Sequence, residues 1–418
     1  MTALRDDGAL AAMPPFGVAR LPRIVFGAGR TSELPGLVAG FGSRALLVTG
    51  ARSLQASPAW ETITAGLSAA GIDWDHLAVD GEPSPELVDG AVAARRADPP
   101  DVVVGIGGGS TLDTAKAIAG LLRSGTVALD HLEGVGRGLA YPGPATPWVA
   151  VPTTAGTGSE ATRNAVLSGV AGGPDAGAQP FKKSFRDERL VAAVALVDPE
   201  LLVGCPPSVI AGDGMDALTQ CLEASVSTGA SPYTDAIAAS GLSAIGPALP
   251  AWHAAATAGV EPAGTAEVRS AMAWGALASG IALANAGLGA VHGLVAALGV
   301  RHGIHHGTGC GILLAPTTRA NVAALRARGA DGTALGKYAA AGRQLVADPT
   351  LHRDEAVDAL VDWLDDLAGR LGLPRLGDLG LRADDLPVLV AESRGSSMRT
   401  NPITLDDVEI AGILDASF

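Results

Sequence analysis

Four residues of the kinds that hold metal ions fall into two stretches of the second half of the chain. Asp216 and Gln220, in GDGMDALTQCLEAS, are four apart and would share one face of a helix. His292 and His306, in GAVHGLVAALGVRHGIHHG, follow with thirteen residues between them. Together they offer a carboxylate oxygen, an amide oxygen and two imidazoles, enough to hold a divalent metal with a position open to a substrate oxygen. Gln220 is the poorest of the four, because an uncharged amide ligates less well than imidazole. Asp213 can support Asp216 or replace it, and His302 and His305 can stand in for His306. Four of the eight histidines lie between positions 292 and 306, a crowding that surface chance does not readily give. A purely structural role would make Asp216 a helix-start residue, Gln220 a core amide and the histidines a hydrogen-bonded loop.

A second signal is DVVVGIGGGSTLDTAKAIA, from Asp101 to Ala119. It reads as an apolar strand, a turn at Gly107, Gly108, Gly109 and Ser110, then a helix carrying Asp113, a further cofactor-binding candidate, and Lys116. Missing Cβ atoms let a ligand approach the backbone, while helix-start amides and the Ser110 hydroxyl can donate to a diphosphate. The stretch matches neither GxGxxG nor GxxxxGK[ST], which disfavours an ordinary Rossmann dehydrogenase and a P-loop phosphotransferase. The earlier strand RALLVT leads to Gly50, Arg52 and Ser53, where a ribose would meet side chains. Gly50 offers no carboxylate to the ribose hydroxyls and Arg52 can pair with a 2′-phosphate, so both NAD and NADP stay open. PTTAGTGSEAT, from Pro152 to Thr162, follows another strand and can complete the cradle; alone, it is equally an ordinary serine–threonine turn.

These groups need a scaffold. Arg44–Thr49, Val102–Gly105, Trp148–Pro152 and Val194–Val197 read as short buried strands, and Trp60–Ala69, Pro85–Arg96 and Ser110–Leu122 as helices between them. That alternation predicts a parallel sheet with helical crossovers. After Pro199 the strand signal fades into alanine-rich helical spacing, with Pro206–Pro207 as a hinge or helix start. The expected organisation is an arm over 1–16, an α/β cofactor domain over 17–200 and an all-helical metal and substrate domain over 201–418. Ser270–Val300 lacks Asp, Glu, Lys and Arg and is long enough to span lipid, but its glycines, Asn285 and His292 predict a buried helix pair. Ala324–Val346 is expected to hold two short helices and Asp354–Leu371 another.

The balance of 29 basic and 43 acidic residues gives a net charge of −14, which repels phosphate backbones and anionic membranes. Nucleic acid and membrane are therefore not expected partners. With 418 residues and 48% hydrophobic content the chain can fill real cores. Three separated cysteines, Cys205, Cys221 and Cys310, suit neither a disulfide framework nor a zinc knuckle and point to a reducing cytoplasm. Met1–Gly17 shows neither a secretory signal nor a basic transit peptide.

GIGGGSTLDTAKAIA, PTTAGTGSEAT, VALVDPELL, GMDALTQCLEA and GLGAVHG…HHGTGCGILLAP, in this order, resemble the iron-containing (group III) alcohol dehydrogenase family, which includes maleylacetate reductases. The likeness runs from about Pro22 onward. It implies a dehydroquinate synthase-like fold: an α/β N-terminal nucleotide-binding domain, then an all-helical metal-binding domain, with NAD or NADP between them and Fe²⁺ or Zn²⁺ as the metal. It also implies a homodimer. By resemblance Gly107, Gly108, Gly109 and Ser110 hold pyrophosphate, Thr153, Thr154, Thr157, Gly158 and Ser159 line the cofactor, and Lys182 lies near it. The family's usual Asp, His, His, His set maps to Asp216, Gln220, His292 and His306, so one imidazole is replaced by an amide. Ala296 stands where many members carry a further active-site histidine, and Gly50 where NAD-preferring members often carry an acid. The implied reaction is reversible hydride transfer between an alcohol and NAD(P)⁺, giving an aldehyde or ketone. Without the histidine relay, the proton would pass through water, the cofactor ribose, His302 or His305. Maleylacetate reductase chemistry would need cationic anchors such as Arg301 and Arg394. The same fold would also suit a dehydroquinate synthase-like cyclising lyase or a noncatalytic nucleotide-binding protein.

Overall fold

The computed structural model describes residues 13–171, 179–329 and 332–418. Of the expected N-terminal arm, 1–12 lie outside the described residues. The first half contains strands β1 (Arg23–Phe26), β2 (Arg44–Gly50), β3 (Asp73–Val79), β4 (Val102–Gly107), β5 (Trp148–Pro152), β6 (Asn164–Ala171), β7 (Gln179–Arg186) and β8 (Val194–Val197). Between them run α1 (Leu34–Ala39), α2 (Pro58–Ala69), α3 (Pro85–Arg95) and α4 (Gly109–Leu121). Proline at the first turn of α2 and α3 supplies the helical φ where no amide partner is needed, and the Ser84 side chain caps α3 by accepting from the Leu87 amide.

Six strands pair in parallel in the order β1-β8-β5-β4-β2-β3. Their side chains alternate between two cores. Ala45, Leu47, Val104, Ile106 and Val151 face α1 and α2, while Leu46, Val48, Val103 and Ala150 face α3 and α4. Burial on both faces explains why these strands read as continuous apolar runs. The chain leaves β2 for β3 on one side and returns to β4 on the other, so the order reverses between β2 and β4. A crevice outside the carboxyl ends of two such strands is where open α/β sheets bind ligands; here its rims are Gly50 and Gly107. β6 and β7 form a separate antiparallel pair that the apolar runs did not foretell, and edge strand β3 and strand β1 were likewise not anticipated.

From Pro207 the described chain is helical: α5 (Pro207–Val226), α6 (Pro232–Thr257), α7 (Thr265–Ala286), α8 (Ala290–His302), α9 (His306–Ala327), α10 (Thr333–Leu345), α11 (Arg353–Arg370), α12 (Leu386–Glu392) and α13 (Asp407–Asp415). The α5 helix is buried along nearly its whole length, among α6, α7 and α9. The charge-free stretch covers most of α7 and α8, which meet at 102° across the glycines that follow Ala286. Met272, Leu277, Ile281, Val291, Leu294 and Leu298 put this pair inside the helical core, as expected. No single described helix is long and apolar enough to cross a membrane. Ala324 belongs to the end of the long α9 rather than to a short helix of its own, because α9 runs through Pro316 without breaking and ends only just before Gly329.

Candidate metal and cofactor site

Three helices bring the metal-type side chains together. Asp216 and Gln220 lie one turn apart on α5, His292 is in the first turn of α8, and His306 opens α9. Glycines set the approach of α5 to α9: a Cβ on Gly307 would lie 2.3 Å from the Gly212 carbonyl oxygen. The Asp216 Oδ1 is 3.2 Å from His292 Nε2 and 3.8 Å from His306 Nε2. A fourth group joins them: Cys310 Sγ lies 3.5 Å from Asp216 Oδ1 and 3.9 Å from His292 Nε2. Ligand atoms from Asp216, His292, His306 and Cys310 all fall within 4.8 Å of one another. Metal–ligand bonds of about 2.0–2.3 Å in a tetrahedron set donor atoms roughly 3.3–3.8 Å apart, so the group fits a divalent ion with small adjustment. Sequence reasoning missed Cys310. Its signal was the four-residue spacing from His306, which places both on one face of α9.

Glu223, two turns along α5 from Asp216, orients His292. Its Oε2 is 2.6 Å from His292 Nδ1, and its Oε1 accepts from the Val291 amide at 2.7 Å. Glu223 thus keeps a proton on Nδ1, and Nε2, which donates to Asp216 in the metal-free chain, is the nitrogen that would ligate an ion once its own proton is released. Burial works against an ionised Asp216, but bonding to His292 and the nearby His306 hold its pKa at about 2. Burial alone would lower His292, yet Cys310, Asp216 and Glu223 carry it well above the ordinary imidazole range. His306 goes the other way, lowered by desolvation to about 4 despite Asp216, although 35% of its side chain remains open. Burial pushes the Cys310 thiol up to about 12.

Gln220 is otherwise engaged. Its Oε1 accepts from Ser279 Oγ at 2.6 Å, and its Nε2 donates to the Thr157 carbonyl at 3.4 Å. The amide pins the 152–162 loop to α5 and α7. His305 is exposed beside Gly212, and its charge reaches both Asp213 and His306. His302, at the far end of α8, is about 15 Å along the helix from His292 at 1.5 Å per residue. It lines a separate crevice with Arg301, Asp384 and Asp385, so the structure brings His305 to the cluster and leaves His302 away from it. Asp213 is buried beside Thr154, and burial raises its carboxyl to about 6.

On the sheet side, Gly108 caps α4 with no side-chain bond, leaving the first-turn amides of α4 aimed at the crevice. The glycine turn is tighter than ligand approach alone requires. A Cβ on Gly107 would lie 2.6 Å from Thr111, and one on Gly109 would lie 2.6 Å from Thr157. Thr154 faces Gly108, while Thr153 bonds to the Gly107 carbonyl through its amide. Gly158, at φ 61°, packs on Gly280: a Cβ there would meet the Gly280 Cα at 2.4 Å. One loop thus touches the glycine turn, α7 and, through Gly156 against Asp213 and Thr157 against Gln220, the metal-bearing α5.

Buried bonds hold that loop from below. Lys116 Nζ donates to Ser159 Oγ and Thr162 Oγ1, each at 2.9 Å, and to the Asn164 carbonyl at 2.6 Å. Asp113 accepts from Ser159 at 2.5 Å and from the Val166 amide at 2.9 Å. Asp113 and Ser159 therefore spend their oxygens inside the protein, bracing the cradle rather than facing the crevice. Gly50 ends β2 at the crevice rim; Arg52 and Ser53 are exposed, and Arg52 faces Asp80 at 4.0 Å. Lys182, on β7, pairs with Glu82 at 2.8 Å, and its charge reaches His306.

Family comparisons agree with this architecture. The pattern described as iron-containing alcohol dehydrogenase matches residues 22–199, and its C-terminal counterpart matches 210–418. Alcohol dehydrogenase 4 of Saccharomyces cerevisiae is 31% identical over 341 residues, 81% of each chain. The NAD-dependent methanol dehydrogenase of Bacillus methanolicus is 33% identical, spanning 78% of this chain and 83% of its own. A crystal structure of 1,3-propanediol oxidoreductase superposes with a TM-score of 0.84 at 28% identity, covering 97% of this chain and 100% of that one. A parallel α/β half, a helical half bearing a metal site and these matches together place the chain in the iron-containing alcohol dehydrogenase family.

Proposed function

We propose that this chain interconverts a small uncharged alcohol and its aldehyde or ketone, using NAD⁺ or NADP⁺ and a divalent ion at Asp216, His292 and His306. One observation carries the reading: the 152–162 loop packs on the glycine turn through Thr157 and on the metal-bearing α5 through Gly156, against Asp213, and through the Thr157 carbonyl that accepts from Gln220. It joins the two half-sites that hydride transfer requires. When bound, the ion supplies positive charge where negative charge develops on the substrate oxygen, and the nicotinamide gives or takes the hydride.

The protein's own groups set the rest. Amides at the start of α4, with Ser110, bind the diphosphate, while Thr153, Thr154 and Thr157 line the cofactor. Arg52 and Ser53 meet the ribose, and an exposed arginine there favours a 2′-phosphate. Lys116 and Asp113 hold the loop in register. Glu223 keeps His292 in the ligating tautomer. With Ala296 in place of a relay, His305 is the imidazole positioned to exchange a proton with water at the cleft margin. We take residues 17–200 as the cofactor domain and 201–418 as the metal and substrate domain, acting in a homodimer within a reducing compartment.

Uncharged substrates are favoured over a carboxylated ketone because Arg301 is paired with Glu392, and Arg394 with Asp407 and the Leu405 carbonyl. Both lie on the exterior, already engaged. The test follows NAD(P)H absorbance with a panel of alcohols and aldehydes, using chelator-stripped protein and protein resupplied with Fe²⁺ or Zn²⁺. Activity that appears only after resupply supports the assignment; full activity in stripped protein overturns it. Net NAD(P)H turnover also separates a dehydrogenase from a cyclising lyase.

A further inference from the structure

We propose that Cys310 is the fourth protein ligand of the metal centre, its thiolate taking the place that Gln220 leaves, and that this Asp–His–His–Cys set makes the centre selective for zinc over ferrous iron. The inference rests on the metal role given above and specifies its donor set. Geometry supplies the first reason. Cys310 Sγ stands 3.5 Å from Asp216 Oδ1 and 3.9 Å from His292 Nε2, close to the roughly 3.5 Å between a sulfur and a nitrogen or oxygen donor on one tetrahedral zinc. Among the described residues these four side chains are the one His, Cys, Asp and Glu group compact enough to share an ion.

Gln220 supplies the second reason. Its oxygen is directed at Ser279, and its NH₂ at the Thr157 carbonyl and the Asp216 carboxylate. The amide presents donors, not a lone pair, to the centre. Chemistry supplies the third. Thiolate is soft and suits zinc, and it widens the preference for zinc over ferrous iron that nitrogen and oxygen donors already show. On binding, the Cys310 S–H bond breaks, sulfur keeps the electron pair for the metal and the proton leaves to solvent. No oxidant or reductant is needed, and two anionic donors balance the ion's charge. With four protein donors in place, a substrate oxygen would enter as a fifth ligand, from the flank that His306 leaves open.

The full chain is loaded with Co²⁺ and its spectrum compared with those of Cys310→Ser and Gln220→Ala. Wild type and Gln220→Ala should show a near-ultraviolet sulfur-to-cobalt band above the weaker visible bands. Cys310→Ser should keep visible bands but lose that band, with zinc affinity falling at least about tenfold and ferrous affinity falling less. Zinc-edge X-ray absorption on the unaltered protein, which needs no variant to fold, should show one sulfur at about 2.3 Å. Visible bands without the sulfur band, a band surviving Cys310→Ser, or a zinc shell without sulfur would overturn the ligand assignment while leaving the metal role standing. Wild type that takes up neither cobalt nor zinc would overturn both.

Discussion

Replacing Glu160 by glutamine perturbs the loop that joins the two half-sites without changing its shape. The carboxyl is 2% exposed, in the same turn as Ser159, and burial raises its pKa from 4.5 to about 7 against the weaker pull of its own amide and of Lys116. A carboxyl whose folded value lies above its unfolded one favours the native state when protonated. That contribution is complete below pH 4.5 and is lost as pH rises through about 7. At about 1.36 kcal/mol per pH unit the loss reaches roughly 3 kcal/mol, and glutamine, which cannot ionise, does not incur it. Denaturant unfolding of the metal-free chain, followed from pH 4.5 to 8, should give a wild type that weakens steadily relative to Glu160→Gln, ending with the variant the more stable by up to that amount. Parallel curves, or a variant less stable at pH 8, would show that the carboxyl stays ionised in the fold and that its burial has been misjudged.

Glu223→Gln keeps the shape beside His292 but removes the charge; metal affinity in chelator competition should fall about 10–100-fold with the metal-free fold intact, and an unchanged affinity would dismiss Glu223 as the orienting group. Gly158→Ala forces a Cβ against Gly280 at positive φ; a stability loss of about 2–4 kcal/mol and weaker NAD(P)H fluorescence titrations should follow. Arg52→Ala should cut kcat/KM for NADP⁺ about tenfold, the worth of roughly 1.4 kcal/mol, while leaving NAD⁺ within twofold; equal effects on both would free Arg52 of any phosphate role.

The strands that were legible, β2, β4, β5 and β8, are buried on both faces and so read as largely apolar runs with no alternating polar face. Edge strand β3, DWDHLAV, mixes charges into its exposed positions, and β7, QPFKKSFR, carries three cations; neither contrasts with loop sequence. At the site, spacing on one helix carried information and packing between helices did not. Asp216 with Gln220 follows from a four-residue interval, yet only the fold reveals that Gln220 turns toward Ser279 and Thr157. Cys310 stands at the same interval from His306, but counting cysteines for disulfide partners hides a cysteine whose neighbours are an aspartate and two histidines. Asp113 is a cofactor-binding candidate in the sequence; the helix turns its carboxylate inward to Ser159 and Val166. The glycines were legible as a tight turn, whereas Thr154 and Thr157, which fill the space beside Gly108 and Gly109, come from the later 152–162 loop.

The reach of α5, α8 and α9 toward a common cation can be seen directly by anomalous diffraction from crystals of the metal-loaded enzyme with NAD(P)H. We expect one strong peak within bonding distance of Asp216, His292 and His306, with the nicotinamide beside it and the diphosphate at the start of α4. A metal peak elsewhere, or none at these side chains in an active enzyme, would contradict the account.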